Sequence, residues 1–222
     1  MYKLEAKDFI SAEIPVATPE DTIAEILQAM HAAGAEYLPL VENGKYLCLL
    51  SGKDLSEIHG TSDKPVPVGC FTPSVTENGY ILEVLNQLTQ AAVSLLPVVS
   101  SAGEYIGSIR SRTVLNHLAE LCQAGHPGAV IVLRCQPDDY SLADIVRHIE
   151  ENHCKMINFM SFSDSEKKQL YLCLKTDCEE INTLARTLER FDYDIVGCFM
   201  HRSEPDETLR QRLDELMYYI KM

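Results

Sequence analysis

The stretch 37-YLPLV-41 recurs 58 residues later as 95-LLPVV-99. Extending the comparison upstream at the same offset sets Ala17-Thr18 against Val75-Thr76, and Ile23-x-Glu25-Ile26-Leu27 against Ile81-x-Glu83-Val84-Leu85. Downstream, one inserted residue brings Tyr46 onto Tyr105 and 49-LLSGKDL-55 onto 108-SIRSRTV-114. Agreement in order and in physical character at a fixed period marks an internal repeat, which constrains the architecture before any single element is assigned.

Each copy reads as a short strand, a helix, two strands and a helix. Thr18-Pro19-Glu20-Asp21 has the form of a helix start, and Ile23, Ile26, Leu27 and Met30 follow at the 3.6-residue period. The runs 37-YLPLV-41 and 46-YLCLL-50 flank Glu42-Asn43-Gly44. Asn-Gly between two apolar runs predicts a hairpin. Ser51-Gly-Lys-Asp54 then opens a second helix, predicted to end near Gly60. In the second copy Ser101-Ala102-Gly103 takes the place of the turn, and Thr113 to Leu121 forms the closing helix.

A doubled β-α-β-β-α unit, with an L-P-[LV]-V strand and an apolar strand leading into S-x-x-D, resembles the cystathionine-β-synthase (CBS) domain, which occurs in tandem pairs. The resemblance covers about residues 8–121, with repeats at about 8–60 and 66–121 inside a unit of residues 1–122. It implies a regulatory module whose two pseudo-symmetric clefts bind adenine nucleotides or S-adenosylmethionine, and whose pairs dimerise.

The resemblance also implies where a ligand sits. The family signature, Gly-apolar-apolar-Thr/Ser-x-x-Asp, stands in the first repeat as 48-CLLSGKD-54, with Cys48 in place of the glycine. Ser51 is then expected near phosphate and Asp54 on the ribose hydroxyls, with Lys53 between them, while Val16, Ala17, Thr18, Tyr37 and Pro39 line the purine. A carboxylate can accept from both hydroxyls of a ribose, and such charge-assisted bonds are worth about 1.5–3 kcal/mol each. The same serine and aspartate also read as a helix cap, and the roles are compatible because free N–H groups at a helix start attract anions. The second repeat, 107-GSIRSRT-113, keeps Gly107 but carries Arg110 in the hydroxyl's place and Thr113 in the aspartate's. Without that carboxylate the ribose grip is lost, so one functional nucleotide site at most is expected. Arg110 and Arg112, the only arginines before residue 134, are candidates to hold phosphates as bidentate donors, or else to form ion pairs at a surface or interface.

Gln123-Ala-Gly-His-Pro-Gly128 interrupts the periodicity and reads as a linker, 123–128. Beyond it, 129-AVIVLRC-135 reads as a strand, and Leu142, Ile145, Val146 and Ile149 as a helix stripe. The runs 156-MINFMSF-162 and 169-QLYLCLK-175 alternate like paired strands. Asp177-x-x-Glu180 suggests a capping box before Ile181, Leu184, Leu188 and Phe191, and 194-DIVGCFM-200 closes a β-α-β-β-α-β, ferredoxin-like order. Residues 129–202 resemble the ACT domain, a small regulatory fold, which implies amino-acid binding at paired interfaces. The loop Gln136-Pro-Asp-Asp-Tyr-Ser141 lacks the family's glycine, so docking of a twin or partner is the competing role. From Ser203-Glu-Pro-Asp206 onward, Leu209, Leu213, Leu216 and Ile220 fall on one face. They predict a C-terminal amphipathic helix at 203–222 that covers its own domain or a twin subunit. The expected class is thus α+β: a tandem CBS pair, a ferredoxin-like βαββαβ ACT-type domain and a C-terminal helix. That arrangement is similar to the one in acetoin-utilisation regulators of the AcuB type.

Composition narrows the function further. The 222-residue chain is 46% apolar with a net charge of −14 spread over both halves. A field of that sign repels nucleic-acid backbones and anionic membranes, so an anionic ligand needs a local basic pocket. No apolar run approaches the roughly 18–20 residues of a membrane span. Lys3, Glu5, Lys7 and Asp8 leave no apolar leader core at the N-terminus, which predicts a cytoplasmic protein. The eight cysteines are scattered without C-x-x-C and are expected as buried free thiols. His148 and His153 are five apart and do not share a helix face as metal ligands would. With no nucleophile–base pair and no phosphate-cradling glycine loop, the chain reads as a non-enzymatic homodimeric sensor. Its expected small-molecule effector is an adenine nucleotide or S-adenosylmethionine. The competing reading is a constitutive interaction scaffold with empty clefts that docks a partner enzyme.

Overall fold

Thr22 starts the first helix, α1 (Ile23–Ala33). Its hydroxyl accepts from the Glu25 N–H at 3.3 Å while the Glu25 carboxylate accepts from the Thr22 N–H at 2.9 Å. The start predicted at Thr18 therefore moves four residues on. Ala17 is still pinned in extended form to the following strand, and Thr18 spends its N–H on the Asp21 carboxylate, at 2.6 Å, in a turn of its own. α1 buries Ile26 and Met30. The hairpin β1 (Tyr37–Glu42) and β2 (Lys45–Ser51) turns at Asn43 and Gly44, whose φ values of 50° and 78° are the left-handed pair that a two-residue hairpin turn needs. The short strand expected before α1 is a single parallel bridge, Ala17 to Leu40, on the edge of β1 away from β2. A short helix, α2 (Gly52–Glu57), follows.

The computed structural model describes residues 4–11, 13–58, 71–164, 166–178 and 180–201. The predicted end of α2 near Gly60, the start of the second repeat at 66 and the C-terminal helix at 203–222 lie outside them. The second repeat gives β3 (Val75–Thr76), α3 (Ile81–Ala91), β4 (Leu95–Val99), β5 (Tyr105–Arg110) and α4 (Ser111–Leu121), with β3 parallel and β5 antiparallel to β4. α4 begins two residues before the predicted Thr113.

The two repeats exchange the stretches ahead of their first strands. From the N-terminus, Ala6 and Lys7 donate to the Gly79 and Glu77 carbonyls at 2.8 and 3.0 Å, and Ser11 N–H donates to the Ser108 carbonyl at 2.9 Å. In return, Leu49 N–H donates to the Phe71 carbonyl and the Tyr46 hydroxyl to the Pro73 carbonyl, each at 3.1 Å. Neither repeat completes its backbone pairing alone.

The chain divides into two compact units after Leu118. The second contains β6 (Gly128–Cys135), α5 (Leu142–Glu151), β7 (Met156–Asp164), β8 (Gln169–Thr176), α6 (Ile181–Arg190) and β9 (Asp194–His201). Its antiparallel sheet has the strand order β7-β8-β6-β9, the ferredoxin-like order. Ile131, Leu133, Leu172 and Leu174 of the sheet share one core with Ile145, Ile149, Leu184 and Leu188 of the helices.

Three expectations for this unit change. Asp177 and Glu180 form no capping box: the Asp177 carboxylate accepts from the Lys155 N–H at 2.6 Å, and Glu180 makes no side-chain cap. Phe191 lies past the end of α6, exposed, with its ring stacked on His148 at 3.9 Å. Cys154 and Cys178, expected as free thiols, are joined in a disulfide, because the loops after α5 and β8 run side by side and bring their Cα atoms to 5.2 Å. Of the other cysteines among the described residues, Cys48 is buried, Cys122, Cys135 and Cys173 are half-buried and Cys198 is exposed. Among the described residues no helix is long and apolar enough to cross a membrane.

Candidate functional site

In the first repeat the signature positions sit where β2 runs into α2. Ser51 is the N-cap of α2, and its hydroxyl oxygen accepts from the Asp54 N–H at 3.3 Å. Lys53 and Asp54 are exposed on the first turn. Tyr37, half-buried, stands opposite Ser51 in the β1–β2 register. Pro39 is buried, and its carbonyl accepts from the Ala17 N–H at 2.9 Å. Ala17 therefore pairs with the edge of β1 away from β2 and Ser51. The structure brings Tyr37 beside Ser51 and pairs Ala17 with the other edge of β1.

In the second repeat Gly107 is buried, and a Cβ there would collide with Ile10, which the exchanged N-terminal stretch lays on it. The neighbouring Ser108 is buried with its hydroxyl 2.9 Å from that of Tyr105, whose phenol burial pushes above its ordinary range. Arg110 crosses to the first repeat. Its Nη2 donates to the Ala33 carbonyl at 2.9 Å and its Nη1 to the Gly34 carbonyl at 3.4 Å, at the C-terminal end of α1. Those carbonyls have lost their helical partners and carry the negative end of the helix dipole, so a guanidinium there stabilises α1. Arg112, two residues on, is exposed.

The strand entries of the two repeats meet at the same place. Gly52 N–H donates to the Glu36 carbonyl and Ser111 N–H to the Ser94 carbonyl, both at 2.9 Å, one bond being the pseudo-symmetric copy of the other. The Ser94 hydroxyl donates to the Glu36 carboxylate at 3.0 Å. Around this contact lies a cavity of about 530 Å³, walled by Gly34–Glu36, Ser94–Leu95 and Arg110–Arg112. Its size suits a small organic ligand. It holds one carboxylate, two guanidinium groups and two hydroxyls, a set able to accept from sugar hydroxyls and donate to phosphate oxygens. Sequence reading named Arg110 and Arg112 but missed Glu36 and Ser94. The signal for these two was their spacing, since they stand 58 apart at equivalent positions just before the doubled strand.

The second unit has a cavity of about 430 Å³ beside its disulfide, lined among others by Asn152, His153, Asp177, Glu180 and Thr183. The Gln136–Ser141 loop lies at the opposite end of β6 from that cavity, with the Ser141 hydroxyl capping α5. Burial pushes the Cys135, Cys173 and Cys198 thiols up, away from nucleophilic thiolate character. Among the described residues no group of three or more His, Cys, Asp or Glu side chains is placed to hold a metal ion.

A family model described as the CBS domain matches residues 6–59 and again 63–120. Among solved structures, the chain is similar to a CBS domain pair/ACT domain protein from Thermotoga maritima, with 19% identity, a TM-score of 0.46, and coverage of 53% of this chain and 98% of that one. It is similar to CBSX2 in complex with AMP, at 18% identity and a TM-score of 0.46, covering 54% of this chain and 98% of that one. It is also similar to the CBS domain of a bacterial CNNM/CorC family Mg2+ transporter in complex with ATP, at 17% identity and a TM-score of 0.44, covering 52% and 87%. With the family model matched twice in tandem over half of its length, the chain belongs to the CBS domain family.

Proposed function

We propose that this chain is a non-enzymatic regulatory sensor whose CBS pair binds an adenosine-containing ligand, and that binding is passed on through dimerisation and the ferredoxin-like, ACT-type unit. The observation that carries the reading is the cavity at the meeting of the two repeats, where Arg110 and Arg112 face Glu36 and Ser94. In a chain of net charge −14, these are the only two arginines before residue 134, so this is the local basic site an anionic ligand requires. Arg110 is held in place by the end of α1, which leaves Arg112 to take phosphate or carboxylate oxygens. Glu36, contributed by the first repeat, supplies for ribose hydroxyls the carboxylate that Thr113 does not. Ser51 and Asp54, with Lys53, form the second candidate place, nearer the family signature.

The order of a CBS pair and a ferredoxin-like unit supports a regulatory role of the AcuB kind; no part in acetoin metabolism is proposed. One observation favours a constitutive scaffold instead: Arg110 already spends its guanidinium on backbone carbonyls. A thermal-shift panel of AMP, ADP, ATP, S-adenosylmethionine and amino acids on the full chain separates the readings. A nucleotide at about 100 times its dissociation constant should stabilise the fold by roughly 2.7 kcal/mol. No shift with any adenosine compound at millimolar concentration would leave the scaffold, and a shift with amino acids alone would move sensing to the second unit.

A further inference from the structure

The disulfide of the second unit joins two stretches that other bonds already hold. α5 ends in a Schellman turn: the His153 N–H donates to the Glu150 carbonyl at 2.9 Å and the Cys154 N–H to the Ile149 carbonyl at 3.1 Å, with His153 in the left-handed region at a φ of 58°. Cys154 is therefore placed by its own helix. On the other side, the Cys178 N–H donates to the hydroxyl of the buried Thr176 at 3.4 Å. Between them Lys155 and Asp177 exchange a pair of bonds, the Lys155 N–H donating to the Asp177 carboxylate at 2.6 Å and the Asp177 N–H to the Lys155 carbonyl at 3.2 Å. The Thr187 hydroxyl of α6 also donates to the Asn152 side-chain oxygen at 3.1 Å. None of these bonds uses a sulfur atom.

The sulfur atoms themselves face carbonyl oxygens, Cys154 Sγ at 3.3 Å from that of Asn152 and Cys178 Sγ at 3.7 Å from that of Glu180. A disulfide sulfur has no hydrogen to donate, whereas each thiol of a reduced pair has an acceptor in reach. Each cysteine is only 6% exposed, and both line the cavity of about 430 Å³, which is large enough to admit a small organic reagent. We infer that Cys154 and Cys178 form a reversible thiol–disulfide exchange site, in which a small dithiol entering this cavity reduces the bond while the fold of the unit stays unchanged. A thiolate of the dithiol attacks one sulfur, the S–S bond breaks, and the other sulfur leaves as a thiolate that takes up a proton. The second thiol of the reagent, deprotonated, displaces the cysteine still held in the mixed disulfide, and that cysteine is protonated in turn. The protein gains the two electrons and two protons that the reagent loses in closing to its own disulfide. The site lies wholly in the second unit and needs no nucleotide.

The test treats the full wild-type chain, without denaturant, with millimolar dithiothreitol, then alkylates it with iodoacetamide and maps the adducts by peptide mass spectrometry while hydrogen exchange follows β6 and β8. Cys154 and Cys178 should both be unmodified before reduction and both alkylated after it, with exchange in β6 and β8 within about twofold of the oxidised chain. Both should be protected again once the dithiol is removed and a small disulfide is added. Reduction that needs denaturant, or that speeds exchange in β6 and β8 beyond that limit, would make the bond a structural staple and overturn the exchange site. Alkylation of either cysteine before reduction, or failure of the bond to re-form, would overturn it as well. A second readout is the double variant Cys154→Ser, Cys178→Ser, which should fold with the same exchange in β6 and β8; a chain that does not fold would show that the S–S bond holds the two stretches together.

Discussion

The two CBS repeats share a backbone plan but hold their signature positions with different chemistry. At the end of the second hairpin strand, the first repeat has Cys48, Ser51 and Asp54 where the second has Gly107, Arg110 and Thr113. Ser51 stays local and caps its own helix, whereas Arg110 reaches into the other repeat and caps α1. The lesson is that internal symmetry fixes where side chains go and leaves open what they do. The same two positions become an exposed helix turn in one repeat and part of a cavity wall in the other.

The largest expected effect breaks the symmetry at the glycine. Gly107→Val should clash with Ile10 and lower stability by about 1–3 kcal/mol, the usual range for overpacking a tight site. Cys48 shows that the equivalent place in the first repeat takes a side chain, so Cys48→Val should cost less. Urea midpoints of the two variants decide, and equal losses would mean that the exchanged N-terminal stretch does not distinguish the repeats.

The next effect sharpens the contrast between a local and a crossing cap. Ser51→Ala and Arg110→Ala should each lower the unfolding free energy by about 1 kcal/mol, the first by losing the α2 cap and the second by uncapping α1. Amide exchange should tell them apart, since Ser51→Ala loosens α2 and Arg110→Ala loosens the end of α1. Loosening of β5 alone in Arg110→Ala would show that the guanidinium does not hold the first repeat. The smallest effect belongs to Arg112→Ala, which removes an exposed side chain. It should leave stability without ligand within about 0.5 kcal/mol of wild type.

Much of this architecture was legible in the sequence because it rests on local physics. The doubled L-P-[LV]-V strands carry the repeat, Asn43-Gly44 carries the hairpin, and the alternation from 129 to 200 carries the ferredoxin-like order. What was not legible depends on neighbours distant in the chain. Thr18 and Thr22 both precede an acid by three residues, and only the pairing of Ala17 with β1 selects the second as the helix start. Cys154 and Cys178 meet because two loops close at one end of a sheet, which their separation of 24 residues does not reveal. At the candidate site, Arg110 and Arg112 stood out as rare arginines. Glu36 and Ser94 look like ordinary surface residues until the two repeats are packed together. Ala17, in the stretch expected to line the purine, bridges to β1 on the edge away from β2, a pairing that its spacing in the chain does not reveal.

The central proposal is that the cavity between the strand entries is a nucleotide site held by the exposed Arg112. Isothermal titration calorimetry of AMP and ATP into the full wild-type chain, Arg112→Ala and Asp54→Ala tests it most directly. A saturable isotherm is expected for wild type, with affinity in Arg112→Ala lower by roughly 10- to 150-fold, the equivalent of about 1.5–3 kcal/mol for a bond to a charged group, and affinity in Asp54→Ala nearly unchanged. Loss in Asp54→Ala with Arg112→Ala unaffected would move the site to the first-repeat turn, and equal affinity in all three chains would contradict both assignments.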